Sequence, residues 1–151
     1  AETMDLVNYE IKKIEKKYKK KYEYILILQP TCPFRNLKSL KLAIKKIQSK
    51  KYDSVVSVKE VNEYHPSRMK LIKKGYLINY LKVKKENFIP RQYLPKIYIR
   101  SGSIYLLKRN VLLKQKSLVG KKCFGIVLDG KEALNIDTYP DLLYFKKTVK
   151  R

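Results

Sequence analysis

The stretch Tyr22-Glu23-Tyr24-Ile25-Leu26-Ile27-Leu28-Gln29-Pro30-Thr31-Cys32-Pro33-Phe34-Arg35 decides the fold. Residues 24–28 are an unbroken apolar run with β-branched and aromatic members, too short for a helix by itself, which predicts a buried strand. Pro30 and Pro33 forbid both a continuing central strand and an immediate helix. Gln29, Thr31 and Arg35 are thereby held in a stiff loop at the carboxyl end of a strand, the place where open α/β sheets bind ligands. The competing explanation is a proline-rich connection with no chemistry.

Working outward, residues 5–20 read as a helix, with Val7, Ile11, Ile14 and Tyr18 on one stripe. After the loop, Asn36 is an N-cap. Leu37, Leu40, Ile44 and Ile47 mark a second amphipathic helix to about Ser49, and residues 53–58 a second strand. Helix, strand, helix, strand is the pattern of a parallel sheet with right-handed crossovers.

The middle departs from it. Residues 62–66 form a turn, and 68–73 and 76–81 are strands joined at Lys74-Gly75. Residues 82–96 are polar and extended. Such an arm has little core of its own and is explained by packing on something else, such as a second subunit. The α/β pattern resumes with a strand at 97–107, a short helix at 109–115, a strand at 122–128 and a short strand at 135–137. Thr138-Tyr139-Pro140-Asp141 opens the last helix with an N-cap, an early proline and a capping acid. Leu142, Leu143 and Phe145 supply that helix's core face.

The 151 residues suggest one domain with 44% hydrophobic content, enough for a core. No apolar run approaches the length of a membrane span, and no secretory signal opens the chain. Ala1-Glu2-Thr3-Met4 does not resemble a natural initiator, so the chain is expected to begin partway through a longer protein. Cys32 and Cys123, with a single His, make neither a disulfide framework nor a zinc site, and a reducing, cytoplasmic setting fits them. The formal charge of +23 comes from 30 Lys and 6 Arg spread along the chain. That reads as a bias of the whole chain and not as a nucleic-acid-binding stripe, although such a field attracts nucleotide triphosphates.

Four stretches carry polar residues where an α/β sheet places a site: Gln29 to Arg35; His65-Pro66-Ser67-Arg68; Arg91 to Pro95 with Arg100 to Tyr105; and Asn135 to Thr138. In the last, residues i and i+2 of an extended segment point to one side, so Asn135 and Asp137 could share a hard cation. The alternative is that Asp137-Thr138 only caps the last helix. His65 reads as a turn or packing residue. Arg91 and Arg100 stand out because Arg is scarce here and binds carboxylate or phosphate in a planar, bidentate way. Gly102, in an otherwise β-branched run, marks a bulge or a close backbone approach.

Taken in order, these stretches resemble the acylneuraminate cytidylyltransferase family, the CMP-sialic acid synthetases. Leu28-Gln29-Pro30-Thr31-Cys32-Pro33-Phe34-Arg35 is similar to the family's L-Q-P-T-S-P-L-R signature. Ser54-Val55-Val56-Ser57, His65-Pro66, Arg91-Gln92-x-Leu94-Pro95, Gly102-Ser103-Ile104-Tyr105 and Ile136-Asp137-Thr138 continue the series.

The resemblance implies a three-layer α/β/α sandwich with a mostly parallel sheet, of the nucleotide-diphospho-sugar transferase type. It also implies a protruding β-hairpin dimerisation arm over 60–97. The activity implied is transfer of CMP from CTP to a nine-carbon sugar acid, with release of pyrophosphate, using magnesium, in a homodimer. By position, Gln29 would touch the sugar or nucleotide, with Thr31 and Arg35 beside it. Arg68, Arg91, Gln92 and Arg100 would serve substrate, Tyr105 and Phe124 would line the sugar pocket, and Asp137 would bind magnesium with Asn135. The sequence departs from the family at Asn135, where many relatives have Asp, at Ser101 for Asn and at Cys32 for Ser. It also contains no G-x-S-K-type phosphate loop. Two other readings stay open: a degenerate, basic binding module, and an enzyme for another acidic sugar such as an eight-carbon one.

Overall fold

The structure is a computed structural model and describes residues 3–61, 63–81 and 89–149, with the Arg91 side chain outside the description. Helices are α1 (Thr3–Tyr18), α2 (Leu37–Gln48), α3 (Arg109–Leu113) and α4 (Tyr139–Val149). Strands are β1 (Tyr24–Ile27), β2 (Ser54–Glu60), β3 (Lys70–Lys73), β4 (Tyr76–Asn79), β5 (Tyr98–Lys108) and β6 (Cys123–Val127). The chain divides into two compact units: residues 1–59 with 100–151, and residues 60–99.

In the first unit a four-stranded sheet has the order β1-β5-β2-β6. β1 pairs antiparallel with β5, from Tyr24–Lys108 to Ile27–Tyr105, and β2 pairs parallel with β6. Lys108 N–H donates to the Asp53 carbonyl, and Ile104 N–H to Ser57 Oγ, so β5 also runs against β2. β1, β2 and β6 therefore share one direction and β5 opposes it. The carboxyl ends of three strands and the beginning of β5 meet at one end of the sheet.

Strand alternation sorts the core onto two faces. Ile25, Val56, Tyr105 and Leu107 meet Ile11 of α1 and Val111 and Leu112 of α3. Val55, Ile104, Leu106 and Ile126 meet Ala43 and Ile47 of α2 on the other face. This is a mixed α/β unit with helices against both faces.

Several expectations change at the level of faces. β1 lies at the edge of the sheet, so its apolar run is not buried throughout: Leu26 is 44% and Leu28 40% exposed. The packed face of α1 is Met4, Val7 and Ile11, while Ile14 and Tyr18 are exposed. In α2 the buried pair is Ala43 and Ile47, with Leu37 and Ile44 exposed. Residues 135–137, expected as a short strand, belong to no strand. In α4, Phe145 packs on Phe34 with ring centroids 5.5 Å apart, and Leu143 is exposed.

The second unit holds the expected hairpin. β3 and β4 pair antiparallel across Lys74 (φ 50°) and Gly75 (φ 83°), the left-handed pair a two-residue hairpin turn requires. Residues 82–88 of the expected arm lie outside the described residues. Among the described residues, no helix is long and apolar enough to cross a membrane.

Candidate active site

The loop after β1 is built by its own arginine. Cys32 N–H donates to the Gln29 carbonyl at 3.2 Å, closing a turn over Pro30 and Thr31. Arg35 then folds back, its Nη2 donating to the Gln29 carbonyl and its Nε to the Ser103 carbonyl at 3.4 Å. Gln29 and Ser103 lie two residues beyond the last β1–β5 pair, Ile27–Tyr105. The guanidinium thus takes up carbonyls at the point where the ladder ends. Arg35 is a positioning residue in this arrangement, its head group turned to main chain.

Opposite the loop, β5 carries Gly102, whose φ is +81°. A Cβ there would collide with Gln29 Oε1 and approach Cys32 Sγ to 3.5 Å. The close approach expected of this glycine is present, and its positive φ turns the strand locally. Ser57 of β2 holds β5 on either side of this glycine. Its hydroxyl accepts from Ile104 N–H at 2.8 Å and Ser101 Oγ at 2.7 Å, and donates to the Ile104 carbonyl at 3.3 Å. All three of its hydrogen-bonding positions are filled in a fully buried place.

Cys32 connects the loop to the segment after β6. It is fully buried, and its Sγ lies 3.4 Å from the Ser101 carbonyl and 3.5 Å from Asn135 Oδ1. Burial pushes this thiol above the ordinary range, outweighing the lowering effects of Thr31 and Arg35. Ile136 N–H donates to the Thr31 carbonyl at 2.9 Å. Asn135 Nδ2 donates to Asp137 Oδ2, so its amide is oriented at both ends, oxygen to the thiol and nitrogen to the carboxylate.

The cap of α4 is made by its neighbours. Thr138 N–H and Oγ1 donate to Asp141 Oδ2 at 2.8 and 2.7 Å, and Asp141 N–H returns to Thr138 Oγ1. The Thr138 hydroxyl, then its N–H, hold the Asp141 carboxyl below its usual range, with a smaller contribution from Lys59. Asp137's exposed carboxylate is therefore not consumed by capping. Among the described residues no cluster of three His, Cys, Asp or Glu side chains could hold a metal alone. One exposed carboxylate nevertheless matches the habit of magnesium, which takes one or two carboxylates and completes its shell with water and phosphate. Asn135 does not fit as a second ligand in this arrangement, because its oxygen faces Cys32.

The structure brings Gln29, Thr31, Arg35 and Asp137 together, with Asn135 as their support. A groove of about 620 Å³ beside them is lined by Arg35, Asp129, Lys131 and Glu132 among others. Arg100 is exposed two residues before Gly102. Two expected pocket residues are not brought there. Tyr105 is 7% exposed, in the core with Ile11 and Ile25. Phe124 faces Val55 in the register, towards the amino ends of β2 and β6. It packs on Tyr52 (centroids 5.1 Å) under the Lys46 ammonium (4.4 Å). Both aromatic rings are held by packing, which their positions in apolar strands favour.

Arg68 and Gln92 belong to the second unit, where Arg68 Nη2 donates to the Ile89 carbonyl at 3.3 Å. The Arg91 side chain lies outside the described residues. The sequence places Ser57 in the Ser54–Ser57 stretch without giving it a role, and Lys59 is not singled out there. Strand alternation from Val55 places both on one face of β2, and a lysine ending a buried strand was the available signal, hidden by the many other lysines.

No family model matches the chain. It is similar to an N-acylneuraminate cytidylyltransferase of Streptococcus agalactiae serotype III (strain NEM316), 28% identical over 127 residues, 84% of this chain and 30% of the relative. It is 24% identical over 136 residues to post-translational flagellin modification protein B of Campylobacter coli, covering 90% of this chain and 57% of that protein. A third relative is CMP-N,N'-diacetyllegionaminic acid synthase of Campylobacter jejuni subsp. jejuni serotype O:2, 41% identical over 61 residues, 40% of this chain and 26% of the relative. The chain spans about a third of the length of the streptococcal relative it matches.

Proposed function

Because the chain is a relative of the N-acylneuraminate cytidylyltransferases and CMP-sugar synthases, we propose that its protein is a nucleotidyltransferase acting on an acidic sugar of the sialic or legionaminic class. It transfers CMP from CTP to the sugar's anomeric hydroxyl and releases pyrophosphate. The observation that carries this reading is the junction of Gln29, Gly102, Cys32, Asn135 and Asp137 at the carboxyl ends of the parallel strands. A glycine that admits one glutamine side chain, and an asparagine held between thiol and carboxylate, are expensive arrangements for a mere connection.

In this reading Gln29 and Thr31 contact sugar or nucleotide, Arg35 keeps their loop in place, and Arg100 offers a planar cation to phosphate or carboxylate. Arg68, Arg91 and Gln92 serve the sugar acid. Asp137 would hold magnesium, whose chemistry there is neutralisation of phosphate charge. Asn135 keeps that carboxylate turned into position. The fold is the three-layer nucleotide-diphospho-sugar transferase sandwich, and residues 60–97 are its dimerisation arm. The exposed apolar side chains of the hairpin, Ile72 (76%), Tyr76 (75%) and Leu77 (67%), support a homodimer.

The test is CMP-sugar formation by the whole protein from CTP, magnesium and N-acylated nonulosonic acids. Asp137→Ala is expected to lower the rate about 100-fold, the scale on which loss of one electrostatic stabiliser acts. Absence of any CMP-sugar from the unaltered protein overturns the reading.

A further inference from the structure

Helix α1 turns one face to the core and the opposite face to solvent. Met4, Val7 and Ile11 pack into the core. At about 3.6 residues per turn, the side opposite them carries Leu6, Tyr9, Lys12, Lys13, Lys16 and Lys17. All six are exposed, Leu6 at 55% and Tyr9 at 62%. Glu15, the one acid among the lysines, is turned away to Arg109. Asp5 and Glu10 stand nearer the amino end, where Glu10 lies 3.8 Å from Lys13. Lys19, with φ 49°, follows the helix, and Lys20 and Lys21 extend the charge beyond it. Seven of the ten residues from Lys12 to Lys21 are lysine, against 30 in all 151, so this stretch exceeds the bias of the whole chain.

Such a face is complementary to an anionic surface, and its composition chooses among such surfaces. It contains no arginine, the residue that grips single phosphates in a planar fork. The Tyr9 ring has the Lys13 ammonium over it at 5.8 Å, so it is not offered as a platform for a nucleic-acid base. Lysines around an exposed leucine and tyrosine match the bilayer interface instead. There the ammoniums meet lipid phosphates, while Leu6 and the body of Tyr9 enter the boundary of the acyl chains. The 16-residue helix lies flat on a surface of this kind.

We propose that the outer face of α1 is a docking surface for an anionic lipid bilayer, on which the protein rests without crossing it. The proposal is independent of the nucleotidyltransferase reading, since none of these residues belongs to the candidate active site.

The chain has no tryptophan, so Tyr9→Trp places a single fluorescent reporter on the face. In flotation, the unaltered chain should bind vesicles of equal parts phosphatidylcholine and phosphatidylglycerol and ignore vesicles of phosphatidylcholine alone. The emission of Tyr9→Trp should shift to the blue on the anionic vesicles. Lys12→Gln/Lys13→Gln/Lys16→Gln/Lys17→Gln should bind at least about 100-fold more weakly, at roughly fivefold for each ammonium near the surface. Its far-ultraviolet spectrum should not change, because the face takes no part in the core. Lys38→Gln/Lys41→Gln/Lys45→Gln/Lys51→Gln removes the same charge from exposed positions on and beside α2. That variant should stay within about threefold of the unaltered chain, since charges remote from the bilayer are screened. Equal losses in the two variants make the binding a property of net charge and overturn the proposal. A tryptophan signal unmoved by saturating vesicles overturns it too, as does α1-dependent binding to polyuridylate with none to vesicles.

Discussion

At the scale of single residues, Gly102 and Cys32 carry the most. Gly102→Ala forces a side chain into the left-handed region and against Gln29 at once. It should destabilise the protein by about 1–3 kcal/mol, measured by urea unfolding. Cys32 is fully buried with its thiol pushed up, whereas Cys123 is only half-buried. Titration with a thiol reagent on the folded protein should modify Cys123 first, and Cys32 only at the rate of local opening. A Cys32 that reacts as fast as Cys123 is incompatible with this packing. The unusual position of Gly102 was legible in the sequence, since glycine interrupts a run that otherwise favours a strand. Its partner was not. That Gln29 fills the space follows from a pairing across more than seventy residues, which no local pattern records.

Among the elements, α1 is tied to the start of α3, directly after β5, by one ion pair. Glu15 Oε1 and Oε2 accept from Arg109 Nε and Nη2, both at 2.7 Å, and Oε1 also accepts from Tyr22 N–H at 3.2 Å. The Arg109 hydrogen bond, ahead of the opposing effect of burial, holds the Glu15 carboxyl below its ordinary value. A depressed carboxyl contributes stability that is present above the unfolded-state value and is lost as pH falls through the folded one. The unfolding midpoint should therefore drop on the acid side, as pH falls below the ordinary glutamate value of about 4.3, and Glu15→Gln should flatten that limb. An unchanged acid limb in Glu15→Gln would falsify this role for the pair.

The α4 cap makes a second element-scale prediction. Thr138→Ala removes the hydroxyl bonded to Asp141 and should cost about 1 kcal/mol in thermal or urea unfolding. Caps are local, so Thr138 and Asp141, like Asn36 at α2, were legible in the sequence. Helix faces were less so. Periodicity marked α1 and α2 as amphipathic, but which apolar residues are covered depends on where each helix meets the sheet. Ile14 and Ile44 share the period and remain outside.

For the whole molecule, the proposed dimer makes the hairpin the place to look. Ile72 and Leu77 face each other in the β3–β4 register and are both largely exposed. Replacing both with Lys adds two charges to a patch that the proposal covers with a second copy. Sedimentation should show the unaltered protein as a dimer and Ile72→Lys/Leu77→Lys as a monomer that retains its folded spectrum. An unaltered protein that sediments as a monomer at all concentrations removes the dimerisation role. The net charge of +23 opposes association of two copies, so the dimer should tighten as salt screens that repulsion.

The sequence by itself determined the order of elements apart from the strand expected at 135–137, the stiff loop after β1, the hairpin turn at Lys74-Gly75 and the cap that opens α4. These follow from interactions within a few residues: proline geometry, left-handed turn positions and capping hydrogen bonds. The tertiary structure decided that β5 runs against its neighbours and that β1 lies at an edge. It also decided that Tyr105 and Phe124 are packing residues and that Asn135 turns its oxygen to a buried thiol. Each of those depends on which distant segment lies alongside, and strand register, edge position and burial are properties of that partner as much as of the residue.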